Sequence, residues 1–267
     1  MGRTLLIALG IAGTLYVTAT VMLFGMQRRL IYPASRAVFV SKEDPSPFEE
    51  ARLATTDGLR LRALYRPAVG MRPVIVFFHG NGDDLGGAIM ATRALATEGY
   101  GLLLPEYRGY GGNSGSPSEE GLYRDGAAAM RWLADRGVRS ANVVIVGNSL
   151  GSGVATELAT HHEVAGLVLI SGFTSLADVA ASQMRFFPAR LLIRDRYENA
   201  AKLALVAAPT LILHGGRDGL IAPAHGAKLV KVARRGEFEL VPEAGHELAY
   251  LPRSQSAILR WLQSIGR

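Results

Sequence analysis

The sequence predicts an α/β domain built on a mostly parallel sheet with helices on both faces. Three observations carry this. Short apolar runs rich in β-branched residues recur along the chain, at Val74–Phe78, Val143–Val146, Val164–Ile170 and Thr210–Leu213. Their continuous apolar character suits strands buried on both faces. Segments of helical length separate these runs, which is the βαβ rhythm. The runs also end in glycine-containing loops that carry polar side chains, where the carboxyl ends of parallel strands place a site. At 267 residues, 49% hydrophobic and 19% charged, the chain can bury the core of one such domain and still carry an extra segment.

That segment comes first. Thr4–Gln27 holds no charged side chain over 24 residues. As a helix it would be about 36 Å long at ~1.5 Å per residue, more than the ~30 Å hydrocarbon core of a bilayer. A cleaved signal peptide would have a shorter apolar region and a small-residue cleavage site, and here the run passes straight into Gln27-Arg28-Arg29. The expectation is a retained anchor over residues 1–29. Arg3 alone precedes the helix, whereas Arg28, Arg29, Arg36 and Lys42 follow it, so the positive-inside rule puts the main domain in the cytoplasm. Residues 30–47, with Pro33, Pro45 and Pro47, read as a linker.

Residues 48–267 then read as the α/β domain. Phe48–Thr55 and Leu59–Arg66 flank Thr56-Asp57-Gly58, a hairpin signal, and alternation of Leu61 and Ala63 with Arg60 and Arg62 gives the second strand one wet face. Val74–Phe78 leads into His79-Gly80-Asn81-Gly82, a helix over Leu85–Thr97 and a strand at Tyr100–Leu104. Ser116-Pro117-Ser118-Glu119 is a helix start, with Ser116 as N-cap, and the helix stops at Gly137. The alternation breaks over residues 173–206, which reads as a short helical cap. It resumes with Thr210–Leu213, a helix near Pro223–Ala233, a strand at Glu237–Val241 and a last helix over Ser254–Ile265.

The chemistry centres on Gly147-Asn148-Ser149-Leu150-Gly151, between a predicted strand and a predicted helix. That context is a nucleophile elbow, with the serine on a sharp strand-to-helix turn. Such a serine needs an acid and then a base, in that chain order. Asp218 lies just past a strand in a glycine-rich turn, and His246 follows the last strand; Glu243 and Asp195 are the rival acids. Leu150 and Asn81 are the expected oxyanion donors through their backbone N–H groups. His79 is expected to shape its loop, His214 to be structural, and His225 to lie on a surface helix. No two histidines stand at i, i+4 with an acid between them, so no catalytic metal is expected. The absence of cysteine excludes thiolate sites and disulfides. The net charge of +6 comes without long Lys/Arg runs or interleaved aromatics, which argues against nucleic acid.

Taken in order, His79-Gly80-Asn81-Gly82, Tyr107-Arg108-Gly109-Tyr110-Gly111, Gly147-Asn148-Ser149-Leu150-Gly151, His214-Gly215-Gly216-Arg217-Asp218 and Gly245-His246 resemble the α/β-hydrolase superfamily, in particular its Bem46-like serine hydrolases. The apolar N-terminus running into Gln27-Arg28-Arg29-Leu30-Ile31-Tyr32-Pro33 is also similar to that group and to the related membrane-anchored α/β-hydrolase domain proteins. The resemblance implies an eight-stranded α/β-hydrolase sheet and a triad, which carries to Ser149, Asp218 and His246. Asn81-Gly82-Asp83 departs from the Asn-Ala-Gly common in relatives, a change that leaves a backbone donor intact. The implied activity is hydrolysis of esters or thioesters, including lipid-derived ones, without a cofactor. A peptidase of the same fold and a non-catalytic membrane-tethered scaffold are the alternatives; haloalkane and epoxide hydrolases use aspartate where Ser149 stands.

Overall fold

A computed structural model describes residues 2–34, 37–40 and 47–267. Arg36, Lys42 and Pro45, used above for orientation and for the linker, lie outside the described residues. The first helix, α1, runs Gly2–Ile31 and has no buried residue along its length. It is longer than the uncharged run, so Leu30 and Ile31, expected in the linker, are helical. Tyr32 behind them is 4% exposed and its hydroxyl lies 3.0 Å from that of Tyr197.

The domain is an eight-stranded sheet of β1 (Glu49–Ala54), β2 (Arg60–Arg66), β3 (Val74–Phe78), β4 (Gly101–Pro105), β5 (Val143–Asn148), β6 (Gly166–Ile170), β7 (Thr210–Gly215) and β8 (Gly236–Val241). The order is β1-β2-β4-β3-β5-β6-β7-β8. β1 and β2 are antiparallel and β2 joins β4 antiparallel; every later pairing is parallel. The two faces of β3 show why its apolar run has no gaps. Val74, Val76 and Phe78 enter the core with Leu122, Val154 and Leu158, whereas Ile75 and Phe77 enter the opposite core with Leu85, Leu95, Ile258 and Trp261. Burying each such side chain stabilises the fold by about 1.5–3 kcal/mol.

Helices α2 (Leu85–Thr97), α3 (Glu119–Ala134), α4 (Gly151–His161), three short helices in the segment expected as a cap, α5 (Leu176–Gln183), α6 (Ala189–Leu192) and α7 (Asn199–Leu203), then α8 (Ala224–Val232) and α9 (Pro252–Ser264) complete the chain. α3 starts two residues later than expected. Ser118, not Ser116, is its N-cap and accepts from the Gly121 N–H at 3.1 Å. Glu119 does not reciprocate that cap; its carboxylate accepts from the Tyr123 hydroxyl and the Arg196 backbone N–H.

The cap does not stand apart from α1. The Tyr16 hydroxyl donates to the Phe186 carbonyl at 2.9 Å and its ring stacks on Phe187. The Gln27 side chain accepts from the Arg194 N–H at 2.8 Å and donates to the Leu192 carbonyl at 3.3 Å. Arg28 pairs with Asp195 through two contacts of 2.9 and 3.0 Å. Between helix and cap lies a cleft of about 100 Å³, lined by Leu23, Phe24, Leu30, Met184, Phe187 and Leu192 among others.

Candidate active site

Ser149 follows β5 immediately and has φ of +51°, in the left-handed region that a serine rarely adopts. Such a conformation costs of order 1–3 kcal/mol and persists only where the surroundings impose it. Here the Ser149 N–H donates to the Ile170 carbonyl of β6 at 2.9 Å, and the Ser149 carbonyl accepts from Ser152 at 2.9 Å in the first turn of α4. The flanking glycines are required by close approach. A Cβ on Gly151 would collide with the Phe78 carbonyl, and one on Gly147 with the backbone of Gly151.

The structure brings the three predicted side chains together. Asp218 sits in the loop beyond β7, its side chain fully buried. Its Oδ1 accepts from the N–H groups of Leu220 and Ile221 at 3.0 and 2.8 Å, and its Oδ2 lies 2.8 Å from His246 Nδ1. Burial pushes the Asp218 carboxyl up, but His246 and the two backbone donors outweigh it and hold the group below the usual carboxylate range. An ionised carboxylate only accepts, so Nδ1 carries the proton and Nε2 is left as the acceptor. His246 Nε2 is 2.9 Å from Ser149 Oγ. The imidazole, at the start of a 3₁₀ turn over His246–Tyr250, is 29% exposed, while Ser149 is buried.

The rival acids are engaged elsewhere. Glu243 pairs with Arg253 at the surface, and Asp195 is the partner of Arg28. The backbone N–H groups of Asn81 and Leu150, the expected oxyanion donors, donate to no protein acceptor among the described residues. Gly80 packs beside the Ser149 side chain, which brings the loop after β3 against the elbow. The Asn81 side chain faces the other way and donates to the Ile31 carbonyl at the end of α1, at 3.1 Å.

The other histidines divide. His79 is fully buried, with Nδ1 2.8 Å from the Gly80 carbonyl and Nε2 2.8 Å from Glu106. Burial disfavours its charge, but the Glu106 carboxylate outweighs that and raises its pKa above the ordinary histidine value. Glu106 escaped the sequence reading; a carboxylate directly after a fully apolar strand was the available signal. His214 lies under Asp218, with Nε2 2.8 Å from the Ile221 carbonyl, and burial lowers its pKa below the ordinary histidine value. His225 corrects an expectation. It is buried rather than on a surface face, because α8 turns it toward the base of the cap, where its Nδ1 lies 2.9 Å from Thr174 Oγ1. Among the described residues no group of three or more His, Asp or Glu side chains is placed to hold a metal ion. Neither Ser149 nor His246 lines the cleft between α1 and the cap.

A family model for the alpha/beta hydrolase fold matches residues 73–192. An uncharacterised protein of Mycobacterium tuberculosis is 38% identical over 231 residues, covering 84% of this chain and 82% of that one. The human alpha/beta hydrolase domain-containing protein 17B is 33% identical over 198 residues, covering 72% and 67% respectively. Among solved structures, an α/β hydrolase from Vibrio vulnificus superposes with a TM-score of 0.75 at 22% identity, covering 90% of this chain and 92% of that one. Sheet order, strand-to-helix elbow and sequence similarity agree, and the chain belongs to the α/β-hydrolase superfamily.

Proposed function

We propose that the protein is a serine hydrolase that cleaves carboxylic esters or thioesters through an acyl-enzyme on Ser149. The observation that carries this reading is the continuous line of hydrogen bonds from Asp218 to His246 to Ser149, 2.8 and 2.9 Å long, ending on a strained elbow. His246 takes the hydroxyl proton as Ser149 Oγ attacks the carbonyl carbon, and Asp218 stabilises the resulting imidazolium. The oxyanion accepts from the Asn81 and Leu150 N–H groups, whose loss would cost about 10²–10³ in rate per donor. Collapse of the intermediate passes the proton from His246 to the leaving group. Water activated by the same imidazole then releases the acid and restores Ser149.

The anchor belongs to the same reading. An 18-residue window of α1 reaches a mean hydropathy of 2.0, and the helix has the length to cross a bilayer. It ties the domain to a membrane, on the cytoplasmic side by the basic residues that follow it, and favours substrates carrying acyl chains.

Two experiments test this. A fluorophosphonate probe labels the wild-type protein and fails to label Ser149→Ala; a folded wild type that stays unlabelled would leave a tethered scaffold as the reading. Full-length protein stays with membranes through alkaline carbonate extraction, and its release would end the anchor assignment.

A further inference from the structure

We propose that the tip of the cap, residues 184–192, is a second membrane-embedded surface that lies in the bilayer beside α1, with a glycerophospholipid bilayer containing anionic lipid as its partner. The inference rests on the reading of α1 as a membrane-spanning helix.

The argument is one of depth. Arg3 and Arg28 bound the uncharged part of α1, and Tyr16 lies near its middle. The cap tip is fixed at the level of Tyr16 by the hydrogen bond to the Phe186 carbonyl and the stacked Phe187 ring. If the tip stayed in water, only Thr4–Leu15 would remain to cross the hydrocarbon. Those dozen residues rise about 18 Å, against a core of ~30 Å. The mismatch disappears if the tip goes in with the helix.

The surface of the tip fits that position. Phe186 and Leu191 are 88% and 84% exposed, an arrangement unfavourable in water and favourable in hydrocarbon. The cleft between tip and helix is apolar over nearly its whole wall. Backbone carbonyls are costly in a bilayer unless they are satisfied. α1 uses two of its few polar side chains for this purpose: Tyr16 serves the Phe186 carbonyl, and Gln27 serves the Leu192 carbonyl and the Arg194 N–H. Within the tip, Arg190 is paired with Asp178 at 2.7 Å. Further cations lie toward the domain end of α1: Arg29 makes no ion pair among the described residues, and the Arg194 guanidinium lies over the Phe24 ring, 4.2 Å from its centroid. Long basic side chains at that end of the helix extend to the headgroups and favour anionic lipid.

The chain has no cysteine, so single reporters can be placed in the full-length protein. Phe186→Cys and Leu191→Cys report on the tip, Leu9→Cys on the anchor, and Met71→Cys on the opposite end of the sheet. Each is coupled to an environment-sensitive nitrobenzoxadiazole dye and reconstituted in phosphatidylcholine–phosphatidylglycerol vesicles, with fluorophosphonate labelling as the check on folding. The proposal expects the dyes at 186, 191 and 9 to shift to the blue and to lose fluorescence to doxyl-labelled lipid, while the dye at 71 does neither. A quenched Leu9 reporter with unquenched reporters at 186 and 191 would overturn the proposal and leave the anchor standing. An unquenched Leu9 reporter would remove the anchor reading and the proposal with it.

Discussion

Replacing Asp218 by asparagine exchanges one carboxylate oxygen for an NH₂ group, and the structure dictates which. Two backbone donors, Leu220 and Ile221, converge on Oδ1 at 3.0 and 2.8 Å. An amide flipped to set its nitrogen there would bring three N–H groups together and forfeit two hydrogen bonds, at about 1 kcal/mol each plus the cost of burying donors unpaired. The asparagine oxygen therefore stays on the backbone, and its nitrogen faces His246 Nδ1, where Oδ2 was 2.8 Å away. Nδ1 must then accept, which moves the ring proton to Nε2, opposite Ser149 Oγ. In that tautomer His246 cannot take the serine proton. In Ser-His-Asp enzymes this tautomer error lowers turnover about 10⁴-fold, equivalent to roughly 5.4 kcal/mol of barrier. Hydrolysis of a p-nitrophenyl ester by wild type and Asp218→Asn gives the ratio of kcat/KM, with circular dichroism to show that the fold is kept. A folded variant within tenfold of wild type would refute the tautomer argument and return the acid's role to Glu243 or Asp195.

Three further outcomes are expected. Gly151→Ala drives a methyl group into the Phe78 backbone, which has no flexible end to move aside, and lowers stability by about 1–3 kcal/mol in chemical denaturation; an unchanged midpoint would contradict the packing described at the elbow. Arg108→Met strips the buried Asp125 of its partner, contacted at 2.8 Å, and costs about 3–5 kcal/mol, a loss that shrinks in acid as Asp125 takes up a proton; equal stability to wild type would show that this network is dispensable. Asp57, held below the ordinary carboxylate range chiefly by its hydrogen bond with Arg108, contributes stability that is complete above the unfolded carboxylate pKa of about 3.9 and is lost as pH falls toward the folded value. Asp57→Asn should therefore lose less stability than wild type between about pH 5 and about pH 3 in urea titrations, and parallel curves would argue against that linkage.

Much of the molecule can be read from local pattern. Val74–Phe78 and Val143–Val146 are apolar at every position because both faces of the central strands are covered, and that leaves an unbroken run in the sequence. Ser149, Asp218 and His246 could be picked out for a related reason: Ser149 directly follows β5, Asp218 and His246 lie in the loops beyond β7 and β8, and the topology gathers strand ends. Long-range pairings between single side chains left no comparable trace. His79 shows nothing of Glu106, because a buried ion pair has no period. His225 follows a helix start that fits a surface element, and only the position of Thr174 reveals that it turns inward. The N-terminal run is the clearest case. Tyr16 and Gln27 are unremarkable in an apolar stretch, and their partners in the cap lie 165 to 170 residues away.

The contact between Asn81 and the end of α1 has a consequence for how this chain can change. A helix that only tethers a domain is interchangeable with any other apolar helix of the same length. Here the final carbonyl of α1 holds the Asn81 side chain, Arg28 neutralises Asp195, and Tyr32 meets Tyr197 behind the elbow helix. On the proposed reading, address and reaction centre are therefore inherited as one piece. Under that proposal, a chimaera carrying a foreign leader would leave the loop beside Ser149 unbuttressed on one side, with Asn81, Asp195 and Tyr197 without the α1 partners they have here.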